Sequence, residues 1–453
     1  MSPDPNPDTS AGAARESRVR VLLRMLGMNR SIMLAGGPKA MSMALGPVGS
    51  LIIVYTLSPA EQGMYYLFIS LLGLRTFFEL GATACIGQVT PHHLGDDGRS
   101  ASPAMVVVAN RWTRRIAMAF GAFSVCTGSA YLYYCGYKDW FTHSYWIAAV
   151  VPTALSGIQE GRLQLLYGVG SIDNVSRIRW IGLVLQYGVQ WPLLLAGAGL
   201  LSFSLSALAV VGVQQFLLTK GHPWVFPVHS SATRGETAAL QSEIGFLVRR
   251  ASIVYMAGFF VLQIQQPLLF RFAGAEASAR FGFTMTVINS LVGIAMLWGM
   301  TSFPHFAKRV SAGNVEEGYR QFRDAWRQSV IVASLALGAA VVAIQTLKGI
   351  PRFSDRLMPF SALLPLGLAV WIQTVGNCAT YWPRAFKKEP FVPTAVLQML
   401  ITPPAAWLAV RHLGADGIGW ANLASWIAGG LSIWHITRKY VPHPGGGVVA
   451  GVL

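Results

Sequence analysis

Twelve apolar runs of roughly 20 residues leave this 453-residue chain little room for anything except helices that cross a bilayer. They fall at 34–57, 63–85, 115–136, 144–161, 177–197, 200–218, 248–270, 281–303, 326–347, 359–382, 391–410 and 417–436. Only 12% of the residues are charged against 53% apolar, too few to coat a water-facing surface, which carries about a quarter charged. A mean hydropathy of +0.46 excludes intrinsic disorder, and four cysteines exclude a disulfide-stapled scaffold. The expected fold is an all-α polytopic membrane protein with about twelve transmembrane helices and no large soluble domain.

The net charge of +16 and a pI near 10.0 would suggest nucleic acid in a soluble protein. In a membrane protein they must first be tested against the accumulation of Lys and Arg in cytoplasmic loops. Alternate connections carry 26 bases on one side and 7 on the other, the seven being Lys138, Arg271, Arg280, Lys348, Arg352, Arg356 and Arg411. The bias places both termini in the cytoplasm and leaves no nucleic-acid partner to invoke. Were 177–218 one crossing instead of two, every later loop would invert and the bias would collapse. Met1 to Ser17 lacks the apolar core of a signal peptide, while VRVLLRMLGM (19–28) reads either as a short amphipathic helix on anionic lipid or as simple topogenic charge.

Two halves of the chain echo each other. LSPAEQGMYYLFISLLG (57–73) aligns with AGAEASARFGFTMTVINSL (273–291) at an offset of 216, and VTPHHL (89–94) with SFPHFA (302–307) at 213. Six spans per half is an even number, so the repeat is parallel, with a central cavity between two lobes. The expected organisation is a basic cytoplasmic tail at 1–33, a six-helix lobe at 34–218, a cytoplasmic inter-lobe loop at 219–247, a second six-helix lobe at 248–436 and a cytoplasmic tail at 437–453.

The segment YTLSPAEQGMYYLFISLLGLRTFFELG (55–81) joins a hydrophobic first helix, the pattern L-S-P-x-E-x-G-x-Y and a second helix ending in E-L-G. It resembles the opening of polysaccharide and O-antigen flippases in the multidrug/oligosaccharidyl-lipid/polysaccharide exporter superfamily. The motif covers the first two helices; the span count and repeat extend the likeness over nearly the whole chain. The resemblance implies an alternating-access transporter of the bacterial inner membrane that moves an undecaprenyl-diphosphate-linked glycan outward. It also implies membrane lipids and a polysaccharide polymerase or glycosyltransferase complex as partners. The chain departs from the pattern at VPTALSGIQEGRLQLLYGVG (151–170), and Arg280 stands where the first half has Met64.

Charges within a span are costly by about 2.5–3.5 kcal/mol, so those retained face a cavity or a partner. Lys39, Arg75 and Glu79 stand out. At 1.5 Å per residue Arg75 lies about 18 Å deep, Glu79 about 24 Å and Lys39 about 27 Å from the same face. One reading is a packing ion pair, Lys39 or Arg75 with Glu79. The other gives the uncompensated cation, foremost Arg75 with its fork of donors, to a diphosphate. Arg271, at the outer end of the seventh span, either steers substrate or snorkels, and Arg250 with Arg249 is either topogenic or an entrance for phosphate. Gln263, Gln266 and Asn377, with Gln265 and Gln373, either line a sugar path or join helices. GGPK (36–39) and GPVG (46–49) make the first helix bendable.

No Walker-type loop, metal-ligand spacing or catalytic constellation occurs, so no cofactor is expected. Two competitors follow from the same arithmetic. A cation-coupled exporter of the superfamily would place a carboxylate in the first helix, which here has Lys39 instead. A membrane polysaccharide polymerase or ligase would need a large outer surface, and the longest outer connection is about 12 residues. The topology is tested by insertion: alkaline phosphatase placed at Lys138 is expected to be active and at Asp96 inactive, and the reverse pattern would overturn the orientation.

Overall fold

A computed structural model describes residues 30–227, 232–386 and 388–442; within the first helix the side chains of 30–36, 39, 40 and 44 lie outside the described set. The amphipathic stretch 19–28 also lies outside it. The described elements are α1 (Arg30–Thr56), α2 (Pro59–Leu72), α3 (Leu74–Glu79), α4 (Ala82–Val89), α5 (Pro103–Tyr134), α6 (Trp140–Gly168), α7 (Ile172–Leu195) and α8 (Leu201–Gly221). The second half holds α9 (Arg234–Leu262), α10 (Gln265–Ala273), α11 (Ala275–Val292), α12 (Met296–Ser311), α13 (Val315–Lys348), α14 (Pro351–Ser354), α15 (Phe360–Ala379), α16 (Tyr381–Arg384), α17 (Val392–Leu413) and α18 (Gly417–Arg438).

Among the described residues these elements stack into twelve columns, and no strand is present. Seven stretches are long and apolar enough to cross a membrane, and the bent pair Pro59–Glu79 and Ala82–His92, at 47°, makes an eighth. One of the seven, Val392–Arg438, is the two side-by-side helices α17 and α18 turned at Gly414. The columns that fall outside this measure include α6 and α7, whose polar residues Glu160, Arg162, Gln186 and Gln190 lower their apolarity. The doubtful pair 177–197 and 200–218 resolves into α7 and α8, two helices packed on each other and joined by a turn with Gly197 and Gly199 at positive φ.

Three helices begin earlier than the apolar runs suggest: α5 at 103, α9 at 234 and α13 at 315. An apolar window stops at the first cluster of charge, whereas the backbone continues as a basic amphipathic helix. The inter-lobe loop expected at 219–247 is therefore corrected: Thr233 and Glu236 form a capping box, and α9 runs from Arg234 into the membrane-length segment. Its Leu240, Ile244 and Val248 bury against Met105, Val108 and Ala109 of α5.

The motif 57–65 has a physical explanation residue by residue. Ser58 caps α2 and Glu61 returns the bond to the Ser58 amide at 2.9 Å, with Pro59 in the first turn, where a missing N–H costs nothing. Gly63 has no room for a side chain: a Cβ there would lie 2.0 Å from the Ala275 carbonyl of α11. Tyr65 accepts a bond from Gln190 of α7 at 3.2 Å. The E-L-G end of the second span makes its bend, with Leu80 at φ 47° and Gly81 at φ 79°.

α2 and α11, counterparts in the repeat, pack against one another. Tyr66 covers Gly282, which stands at its own position plus 216. At the same end of the bundle, Arg352 Nη2 donates to the Tyr55 carbonyl at 2.7 Å, while Arg356 donates to Gln62 Oε1 at 2.6 Å and to the Leu57 carbonyl at 3.1 Å. Both arginines thus cap the C-terminus of α1 from the second half of the chain. Gly63→Val is expected to cost about 1–3 kcal/mol in thermal unfolding, whereas Gly188→Ala, with open space around it, should be neutral.

Candidate functional site

The first helix, bendable at GGPK and GPVG, is continuous, and the break falls in its repeat counterpart. α1 runs unbroken through Pro38 and Pro47, whereas the seventh column is interrupted between Leu262 and Gln265, the position of Gly46–Gly49 in the repeat. Pro267 explains the interruption, since a helical proline lacks an N–H and displaces the carbonyl four residues earlier, here that of Gln263. That carbonyl accepts Ser70 Oγ of α2 at 2.5 Å, and the Pro267 carbonyl accepts Tyr131 Oη of α5 at 2.6 Å.

Beside this interruption lies a cavity of about 580 Å³ between the two halves of the chain. Repeat counterparts face it in pairs: Gly46 with Leu262, Tyr66 with Gly282, Ile69 with Met285 and Ser70 with Thr286. The rest of its wall comes from α7, α10, α15 and α18, including Gln373 and Asn422, and from further residues of α1 and α11. Among the described lining residues none is charged. Gln265 and Asn422 exchange two bonds, at 2.8 and 2.7 Å, which fix α10 to α18. Gln266 donates to the Ser278 carbonyl at 3.1 Å, but its Oε1 is buried with no partner among the described residues. An amide oxygen left so costs about 1–3 kcal/mol unless something in the cavity donates to it.

The residues singled out in the sequence divide accordingly. Gln263 and Gln266 line the cavity. Asn377, one turn beyond Gln373 on α15, is not among the lining residues. Arg271 stacks 4.4 Å over the Tyr134 ring at the end of its column, and exposed Arg250 sits 5.7 Å from the Phe246 ring; neither lines the cavity. Lys39 lies in α1, but its side chain is outside the described residues. Arg75 Nε donates to Glu79 Oε1 at 2.5 Å, and its Nη1 donates to Ser156 Oγ of α6 at 2.7 Å. Glu79 is thus joined to Arg75 along one helix face; the pair is 25% and 16% exposed and stands away from the cavity lining.

Among the lining residues that the sequence did not single out, one group stands on a single helix. Gln186, Tyr187, Gln190 and Trp191 of α7 face this cavity or a smaller pocket beside it. The signal was QYGVQW (186–191), a Gln-aromatic pair repeated at i,i+4, which places both amides on one stripe of the helix and both rings on the next.

No family model and no curated protein matches the chain. Solved structures do. The chain resembles the lipid II flippase MurJ in an inward closed conformation at a TM-score of 0.66 and 11% identity, over 90% of this chain and 87% of that one. It resembles an inward-facing multidrug resistance MATE family transporter of the MOP superfamily at 0.61 and 14%, over 90% and 98%. A MOP superfamily transporter from Pyrococcus furiosus Vc1 (DSM3638), whose reversed pocket polarity suggests a different function, matches at 0.56 and 14%, over 90% and 94%. The chain therefore has the polytopic all-α fold of the exporter superfamily that its opening motif resembles; at these identities the likeness speaks for fold alone.

Removing Arg75 would strand a largely buried carboxylate. Arg75→Ala is expected to lower thermal stability by about 3 kcal/mol, and Arg75→Met combined with Glu79→Gln to recover most of that loss. Equal unfolding temperatures for the single and double variants would show that the pair has no such coupling.

Proposed function

We propose that this protein is an alternating-access flippase that carries a polyprenyl-diphosphate-linked oligosaccharide, of the O-antigen or exopolysaccharide type, across the bacterial inner membrane. The observation that carries this reading is the chemistry of the central cavity: amides, hydroxyls and aromatic faces with no charged side chain among the described lining residues. Amides both donate and accept, which suits a neutral polyhydroxylated ligand, and ring faces cover its C–H surfaces. A cavity for cationic drugs would instead present a carboxylate. At about 580 Å³ the space lies in the usual range of ligand sites and is far too small for a polyprenyl tail, which stays in the bilayer.

The two halves move as lobes about the α2–α11 contact, with both termini in the cytoplasm. The diphosphate is assigned to Arg75, whose guanidinium exchanges Glu79 for phosphate oxygens as the substrate enters. Arg250 and Lys39 lie toward the cytoplasmic entrance, and Arg271 toward the outer exit. The connections at the opposite end are short, 349–359 being the longest, which gives a polymerase or ligase little surface on which to work. A polymerase or glycosyltransferase complex is assigned as the partner that consumes or supplies the lipid-linked unit.

A strain lacking the protein is expected to accumulate complete lipid-linked repeat units on the cytoplasmic leaflet. Surface glycan of single-unit length would point to a polymerase instead. The double variant Arg75→Met, Glu79→Gln is expected to fold and yet fail to export; full export by it would remove the diphosphate role from Arg75.

A further inference from the structure

We infer that the pocket walled by α1, α2, α7 and α8 is a second saccharide subsite, through which the protein senses how long the glycan is. The inference rests on the flippase reading and adds a specificity-determining site to it. The pocket encloses about 270 Å³ and shares Gly46, Tyr66, Ile69, Tyr187 and Thr286 with the central cavity, so the two adjoin.

Its wall is built. Gln186 Nε2 donates to Ser206 Oγ at 2.8 Å and Gln190 Nε2 to Tyr65 Oη at 3.2 Å, which holds the two amides of α7 in place. The Tyr187 and Trp191 rings meet at 5.4 Å, and Tyr65 stands edge-on to Phe203 at 5.9 Å, so rings bound the slot on both sides. Trp191 Nε1 lies buried with no hydrogen-bond partner among the described residues. Indole nitrogen can only donate, and this one lies against Gly49 of α1 at the pocket wall, so an acceptor admitted there would satisfy it. None of the described residues that line the slot is charged. A neutral ring with apolar faces and hydroxyl oxygens at its rim, one sugar of the glycan, meets all of these demands, while the remainder of the unit occupies the central cavity. A longer glycan gains the second compartment's contacts; a single lipid-linked sugar fills the central cavity alone.

Two substitutions probe the pocket. Trp191→Phe keeps a ring and removes the N–H. Gly49→Val fills the pocket from α1, where a Cβ would lie 3.3 Å from Trp191 Nε1. Export is measured in cells making the complete repeat unit and in cells whose later sugar additions are blocked, leaving one sugar on the lipid. In both variants export of the complete unit should fall by up to about tenfold, the worth of one net hydrogen bond, while export of the single-sugar lipid stays unchanged. The unfolding temperature of Trp191→Phe should be no lower than that of the parent. Equal losses for both lipids, or no loss for either, would overturn the subsite. Failure of the parent protein itself to export either lipid would overturn the flippase reading instead.

Discussion

The contact of α2 with α11 is the constraint on which the rest of the molecule depends. Gly63 lets one backbone touch the other at Ala275, and Gly282 lets Tyr66 lie across the crossing. With two counterpart helices pressed together at one end, the segments below them separate, and the space that opens is faced by repeat counterparts: Gly46 and Leu262, Ile69 and Met285, Ser70 and Thr286. The cavity is therefore a geometric product of the repeat. A side chain at either glycine would disturb the crossing and the cavity together.

Inside hydrocarbon no water repairs an unmade hydrogen bond, so the placement of polar partners shows what the interior is for. The carbonyl that Pro267 displaces is taken up by Ser70, and Gln265 and Asn422 satisfy each other. Against this thrift, ten side-chain polar atoms among the described residues are buried without a partner, and three of them, Gln266 Oε1, Trp191 Nε1 and Tyr66 Oη, belong to residues at the wall of a cavity. Arg75 follows the thrifty pattern, with a carboxylate and a hydroxyl already in place. Any diphosphate that reaches it must displace Glu79.

Much of the architecture was legible in the apolar runs, because each span buries its backbone polar groups within itself and must announce its length. Helical overhangs were not, since α9 between 234 and 247 is polar on one face and declares itself only through the capping box at Thr233 and Glu236. The motif at 57–65 was informative about fold for a concrete reason. Ser58, Pro59, Glu61 and Gly63 cap α2 and pack it, so the motif describes a helix start and a crossing and carries no information on substrate. Depth arithmetic put Lys39 and Glu79 on one level and the i,i+4 spacing put Arg75 and Glu79 on one helix face; the pair found among the described residues is Arg75 with Glu79. The glutamines and rings of α7 stayed hidden because inward-facing polar residues lower a span's apolarity without marking which face they occupy.

The capping of α1 by Arg352 and Arg356 bears on how easily the two halves could part. Those bonds run from guanidinium groups to backbone carbonyls and to Gln62, at the end of the bundle where α1 stops. Each such bond can be exchanged for one to water at small net cost, unlike the apolar burial deeper in the bundle. A seam fastened this way behaves like a hook-and-loop closure: specific when shut, and cheap to open once water reaches the guanidinium groups and the carbonyls they hold.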